Sequence, residues 1–134
     1  MAKLYAPRLQ HLSEKFESTD VGFVGVCANV QDSLTEITAY TNKAGISFPM
    51  LVDNEQVLTD LLGAKRTPEV FVLDEQRRIR YQGRIDDQYG IGVIRKAATS
   101  NDFEDSIQNL LKGIDPVVAK TPAVGCVIGR KKNI

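Results

Sequence analysis

The stretch RTPEVFVL at residues 66–73 decides the fold of this chain of 134 residues. Its second half, Val70–Leu73, is a short apolar run rich in β-branched residues, which is typical of a buried strand. The pair Thr67-Pro68 stands directly before this run, at a position where proline is tolerated. A polar turn at 74–77 and an alternating segment at 78–83 follow. The sequence therefore predicts an antiparallel hairpin.

Helical and extended patterns alternate on both sides of this hairpin. Apolar residues within 5–16 recur at helical spacing, and the apolar run at 21–28 predicts a parallel strand that is buried on both faces. Ser33 and Glu36 form a capping box for a second helix. Residues 101–113 predict a last helix. The alternation predicts an α/β domain with a central mixed sheet flanked by helices.

Composition and charge exclude several classes of function. Seventeen basic residues balance seventeen acidic ones, so nucleic acid and membrane surfaces are not expected as partners. The longest apolar stretch, 21–30, is too short for a membrane span of about 20 residues. Two cysteines and one histidine do not suggest a metal site, and no cofactor is indicated. Because the N terminus lacks the apolar core of a signal peptide, we expect a cytoplasmic protein, or an exported one if a signal precedes this sequence.

The order of predicted elements resembles a thioredoxin-like fold that lacks its first strand. Several segments are similar to the redoxin branch of the alkyl hydroperoxide reductase and thiol-specific antioxidant family: YAPRL at 5–9, VGV at 24–26, RTPEVFVL at 66–73, YQGRIDDQYG at 81–90 and GCVI at 125–128. This resemblance covers nearly the whole chain. It implies a thioredoxin-like redoxin domain over residues 1–113, followed by a C-terminal tail at 114–134.

The resemblance also implies a substrate-binding edge at Thr67 and Pro68. In thioredoxin-like proteins such a pair has a cis peptide bond, and it exposes the preceding backbone N–H and C=O groups to an extended thiol substrate. Arg66 adjoins this edge. A cation there would stabilise a thiolate or polarise a peroxide bond, so Arg66 is a candidate site residue.

The two cysteines have different expected roles. In the family, the nucleophilic cysteine lies at a helix N terminus behind a β-strand, and this sequence has neither the strand nor that cysteine. Cys126 is the family position that carries over, as a resolving thiol in a mobile tail. The alternative is that Cys126 is a small hydrophobe in a strand at 124–128. Cys27 lies in the apolar run and is expected to be an unreactive core thiol that forms no disulfide with Cys126.

Two classes of function follow from the resemblance. The first is a thiol–disulfide oxidoreductase or thiol peroxidase, with a protein thiol or disulfide or a peroxide as its partner. Since the helix-terminal cysteine is missing, we expect this sequence alone to be inactive. The alternative is a non-catalytic binding module that holds a peptide at the Thr67-Pro68 edge.

The missing strand predicts an open sheet. In the thioredoxin-like fold it lies between the strands that correspond here to 21–27 and 70–73, and unpaired strand edges in an apolar interior are costly. The gap could close by direct pairing of those two strands, by insertion of the tail strand at 124–128, or by pairing with a second copy. We expect the last of these, and hence a homodimer or a larger assembly.

Overall fold

The computed structural model describes residues 2–29, 33–90 and 92–130. These residues divide into two compact units. The N-terminal unit comprises Lys3–Ala64 together with the residues from Ile128 onwards. The C-terminal unit comprises Lys65–Val127 together with Ala2. Within the described residues, no helix is both long enough and apolar enough to cross a bilayer.

Helices α1 to α3 and a pair of parallel strands build the N-terminal unit. The elements are α1 Ala2–Lys15, β1 Gly25–Cys27, α2 Leu34–Ala44, β2 Met50–Val52 and α3 Val57–Leu62. In the parallel pair, Val26 of β1 lies opposite Leu51 of β2. At the far end of the chain, Ile128 is buried, and the carbonyl of Gly129 accepts a hydrogen bond from Nε2 of Gln56 at 2.7 Å.

The predicted helices of this unit form as their local signals suggest. In α1 the apolar stripe is buried through Tyr5 and Leu12, and Phe16 continues it just beyond the helix end. The N terminus of α2 is capped by Ser33, whose hydroxyl accepts a hydrogen bond from the Glu36 N–H at 3.1 Å. The helix ends at Gly45, whose φ of 69° is a left-handed conformation that glycine adopts at low cost. The capping box is confirmed.

The prediction of a strand at 21–28 that is buried on both faces is wrong. Only Gly25–Cys27 of this run forms a strand, and the side chains of Val24 and Val26 are 58% and 36% exposed. Leu51, which lies opposite Val26, is 51% exposed. Burial on both faces requires covering elements above and below the sheet. In the described structure, this apolar face is left open to solvent instead.

Helix α4 and three antiparallel strand pairs build the C-terminal unit. Its elements are β3 Arg66–Thr67, β4 Val70–Leu73, β5 Ile79–Gly83, β6 Tyr89–Gly90, β7 Val93–Ile94, α4 Asp102–Leu111 and β8 Cys126–Val127. Strand β4 pairs with β5, β6 with β7, and β3 with β8. The antiparallel hairpin predicted from residues 70–83 is therefore confirmed.

The core of the C-terminal unit lies between the β4–β5 hairpin and α4. Tyr81, Ile85, Phe103 and Ile107 are buried there. The N–H of Phe103 donates to the Ile85 carbonyl at 3.1 Å, so the first turn of α4 is attached to the chain that leaves β5. These contacts hold the hairpin and the last helix together.

The C-terminal segment follows β5 before it reaches β3. The Gln82 N–H donates to the Ala119 carbonyl at 3.1 Å, and the Thr121 N–H donates to the Gln82 carbonyl at 3.0 Å. Five residues after Thr121, the strand β8 begins and pairs with β3. The tail strand predicted at 124–128 thus forms as the shorter β8, which pairs with β3 of its own chain. The homodimer stays a prediction.

Candidate functional site

The structure brings together the four residues that the sequence predicts as a site. Arg66 and Thr67 form β3, Pro68 follows directly, and Cys126 lies in β8. The antiparallel register places Thr67 opposite Cys126, and Arg66 opposite Val127. The Thr67–Pro68 peptide bond is cis. The predicted substrate-binding edge and the candidate thiol are therefore neighbours on paired strands.

Gly125 permits this close approach of the two strands. A Cβ atom at position 125 would lie 2.1 Å from the carbonyl oxygen of Thr67 and 3.2 Å from Cδ of Pro68. The first distance is far below van der Waals contact, and the obstructing atom belongs to the backbone. Any larger residue would push β8 away from β3. The glycine of the GCVI segment is thus required by packing beside Thr67.

Arg66 holds the residue before Cys126. Its Nη1 donates to the carbonyl oxygen of Gly125 at 2.9 Å, and its side chain is half-buried. Because side chains alternate along a strand, Arg66 lies on the face of Val127, and Thr67 and Cys126 share the other face. The described bond of the guanidinium is therefore to the backbone of the tail.

Glu69 fixes the backbone that leads into β3. One carboxylate oxygen, Oε1, accepts from the N–H of Lys65 at 2.9 Å and from the N–H of Arg66 at 3.4 Å. The sequence reasoning did not identify this residue. The signal available in the sequence was an acidic side chain three residues after Arg66 and four after Lys65, a spacing at which a carboxylate can accept from their backbone N–H groups.

The two cysteines are free and differ in exposure. Cys126 is exposed and lies in the short strand β8, so its role as a resolving thiol and the alternative of a small hydrophobe in a tail strand both stay predictions. The exposure extends along the whole of β8, which is two residues long and whose second residue, Val127, is 69% exposed. Cys27 is half-buried in β1 of the N-terminal unit. The pKa of the nearby Tyr40 is raised by the burial of its own phenol and, to a smaller extent, by the charge of Cys27.

A closed ring of hydrogen bonds anchors the tail ahead of Cys126. The Tyr81 hydroxyl donates to the Arg84 carbonyl at 2.6 Å, and the Arg84 N–H donates to Oγ1 of Thr121 at 3.0 Å. Since the phenol has one hydrogen, the 2.8 Å contact between the hydroxyls of Thr121 and Tyr81 is donated by Thr121. Burial raises the pKa of Tyr81 to about 12. We call these three residues the Thr121 clasp.

Gly83 lets the tail lie against β5 beside this clasp. Its φ of 139° is a conformation that other residues rarely adopt, and a Cβ there would lie 2.2 Å from the Thr121 carbonyl oxygen. Arg84 also contributes its side chain, since its Nε donates to Asp102 Oδ2 at 2.7 Å. The tail, the end of β5 and the start of α4 therefore meet around Arg84.

Comparison with solved structures defines the class of fold. A crystal structure of an uncharacterized conserved protein from Geobacillus kaustophilus superposes with a TM-score of 0.89 at 24% identity, covering 99% of this chain and 72% of that one. A crystal structure of a hypothetical protein from Sinorhizobium meliloti 1021 gives a TM-score of 0.86 at 27% identity, covering 97% and 73%. The fold is a thioredoxin-like α/β fold.

The family follows from the match to a family model. The model of the Redoxin family matches residues 3–98, which is more than half of the chain. The chain therefore belongs to the Redoxin family, whose members act in thiol-redox or peroxidase-type chemistry. No curated protein matches it. The resemblance read from the sequence is confirmed at the level of family and fold.

Proposed function

We propose that this redoxin acts in thiol–disulfide exchange and that Cys126 is its reacting thiol. The observation that carries the proposal is the position of Cys126: an exposed free thiol on β8, opposite Thr67 and next to Gly125, which packs against the Thr67 carbonyl. A thiolate must be reachable to attack a disulfide. Cys126 meets this requirement, and membership of a thiol-redox family supports it.

The proposed step is an exchange without net oxidation or reduction. The Cys126 thiol loses its proton to solvent, and the thiolate attacks one sulfur of a partner disulfide. A new bond forms between Cys126 and that sulfur, and the second sulfur leaves as a thiolate. The partner is a protein disulfide or a small disulfide. A second thiol of the partner can reverse the step and release Cys126.

Cys27 is a poorer candidate for the same step. It is half-buried at the end of β1, so a partner disulfide reaches it less easily than it reaches the exposed Cys126. We therefore assign no exchange role to Cys27.

The competing function is a binding module that holds a peptide at the Thr67-Pro68 edge. In the structure, this side of Thr67 is already paired with Cys126 of β8. An extended peptide would have to displace β8 before it could bind there. The exchange proposal needs no such displacement, since Cys126 is exposed where it stands.

Single-cysteine variants test the proposal. Cys27→Ser and Cys126→Ser proteins are mixed with 5,5′-dithiobis(2-nitrobenzoate), and nitrothiobenzoate release and intact mass are followed. We expect Cys27→Ser to react rapidly and to gain one nitrothiobenzoate group, and Cys126→Ser to react slowly in the folded state. Rapid labelling confined to Cys27 would overturn the proposal. Unfolding both variants in denaturant controls for the presence of one reactive thiol in each.

A further inference from the structure

We propose that Arg66 is a positioning residue for Cys126, acting through the carbonyl of Gly125. This inference rests on the proposed exchange function and names a residue that sets its selectivity. The geometry points to a particular substrate class, the disulfide of a folded protein, because such a substrate requires the thiol to be presented in one direction.

Arg66 is held at both its backbone and its guanidinium. Its backbone N–H and that of Lys65 are held by the Glu69 carboxylate. Its guanidinium donates to Gly125 at 2.9 Å. A charged donor makes a stronger hydrogen bond than a neutral one. Arg66 therefore connects an anchored turn to the residue that precedes Cys126.

Strand β8 itself is short and exposed, whereas the chain after it is anchored by the buried Ile128 and by Gly129, whose carbonyl accepts from Gln56. The strand is two residues long, and both of its side chains are exposed. Within the C-terminal unit, its described contacts are the pairing with β3, the fit of Gly125 against Thr67, and the bond from Arg66. These three contacts orient the chain on the N-terminal side of Cys126, and Arg66 supplies the side-chain hydrogen bond among them.

The type of substrate decides how much the orientation of the Cys126 thiol matters. Exchange requires the attacking sulfur to approach along the axis of the disulfide, so orientation contributes to the rate. A small symmetric disulfide can approach a loose thiol from many directions. A folded protein presents its disulfide from a restricted range of directions, and it gains more from a thiol that is held in place. Loss of the Arg66 bond should therefore slow exchange with proteins selectively.

The test compares two probes that release the same coloured anion. One is 5,5′-dithiobis(2-nitrobenzoate); the other is a single-cysteine thioredoxin that carries a nitrothiobenzoate mixed disulfide. Both are mixed with the Cys27→Ser protein, and intact mass reports which sulfur is attacked. The variants, in that background, are Arg66→Met, Arg66→Lys, Gly125→Ala and the control Arg78→Met, which removes an exposed arginine of the same unit.

We expect Arg66→Met to slow reaction with the thioredoxin probe about tenfold and to leave the small-probe rate within about twofold. Arg66→Lys should restore part of the loss, since an ammonium group also donates a hydrogen bond. Gly125→Ala should reproduce the selective loss without removing a charge. Arg78→Met should match its parent. Amide hydrogen exchange in the peptide 122–128 should accelerate in Arg66→Met and Gly125→Ala, and not in Arg78→Met.

Each other outcome has a defined meaning. If the Cys27→Ser parent reacts with neither probe, the exchange function itself fails. If the parent reacts with both and Arg66→Met matches it, or if both probes slow equally, the positioning role of Arg66 is refuted while the function stands. Urea midpoints identify a variant that fails to fold. In that case Arg66→Lys and Gly125→Ala decide the question. If neither variant reacts more slowly with the thioredoxin probe while keeping its small-probe rate, the positioning role of Arg66 is refuted.

Discussion

The Thr121 clasp gives a quantitative prediction for the attachment of the tail. The Tyr81 side chain is 0% exposed, and its hydroxyl is engaged by both Arg84 and Thr121. Tyr81→Phe would leave the Arg84 carbonyl and the Thr121 hydroxyl without this partner in a buried site. A buried polar group that loses its partner costs about 1 to 3 kcal/mol, so we expect a loss of about 2 to 3 kcal/mol in the free energy of unfolding.

The second arm of the experiment is Thr121→Val. It leaves the Arg84 N–H unsatisfied, while Tyr81 still donates to the Arg84 carbonyl. We expect a loss of about 1 to 3 kcal/mol. Because each single variant already breaks the Tyr81–Thr121 bond, the double variant should lose less than the sum of the two, by about 1 kcal/mol. Urea unfolding of the parent, the two single variants and the double variant, fitted with one common dependence of the free energy of unfolding on urea concentration, measures this coupling.

A matched control separates the clasp from the general cost of removing a tyrosine hydroxyl. Tyr40 is half-buried in α2 of the other unit, so Tyr40→Phe should change the free energy of unfolding by less than about 0.5 kcal/mol. If Tyr81→Phe costs no more than this control, the clasp does not stabilise the fold. If the two clasp variants are strictly additive, the hydroxyls of Tyr81 and Thr121 do not interact as described.

Three further predictions concern pH and activity. Burial raises the pKa of Tyr81 in the folded state. The stabilisation from its protonated phenol should therefore be complete below pH about 10 and be lost as pH rises towards about 12. Tyr81→Phe should abolish this pH dependence, as measured by urea unfolding at alkaline pH. Hydrogen bonds from Thr99 and Ser100 hold the pKa of Asp87 well below its usual range. The stabilisation of the fold by the Asp87 carboxylate should therefore be present above pH about 3.9 and decline as pH falls below that value. Asp87→Asn should remove this decline in stability at acid pH. Neither cysteine lies at a helix N terminus, where a thiolate is stabilised, so we expect no peroxide turnover with dithiothreitol above that of the cysteine-free variant. Turnover that disappears with Cys126→Ser would contradict this expectation.

Local signals in the sequence were sufficient for several elements. The polar turn between two β-rich segments predicted the β4–β5 hairpin, and the serine of the capping box predicted the start of α2. In both cases the interacting residues are close together in the chain. Short segments that resemble the family likewise indicated Thr67-Pro68 as the entrance to β4 and Cys126 as the candidate thiol.

What could not be predicted depends on contacts between distant residues. Arg66 was expected to act on a thiolate, but its described bond is to the carbonyl of Gly125, 59 positions away along the chain. Gly125 lies in a segment that resembles the family, but its close packing against Thr67 depends on how the fold brings β8 to β3. The exposure of Val26 was missed because apolar composition indicates the capacity for burial and does not identify the element that would cover it.

These contacts also change the explanation of how Cys126 could react. A resolving thiol in a free tail would have no fixed orientation, but here the tail is attached at the Thr121 clasp and again at Gly125, while Cys126 is exposed. The two attachments differ in strength, since the clasp is buried and β8 is exposed along its two residues. Local opening is cheapest where little apolar surface is buried. Strand β8 is therefore the part of the tail that opens most easily, although the chain is held on both sides of it, at the Thr121 clasp and at the buried Ile128. The Arg66 bond keeps β8 closed, and the closed strand holds Cys126 in the single orientation that the proposed exchange with a folded protein requires.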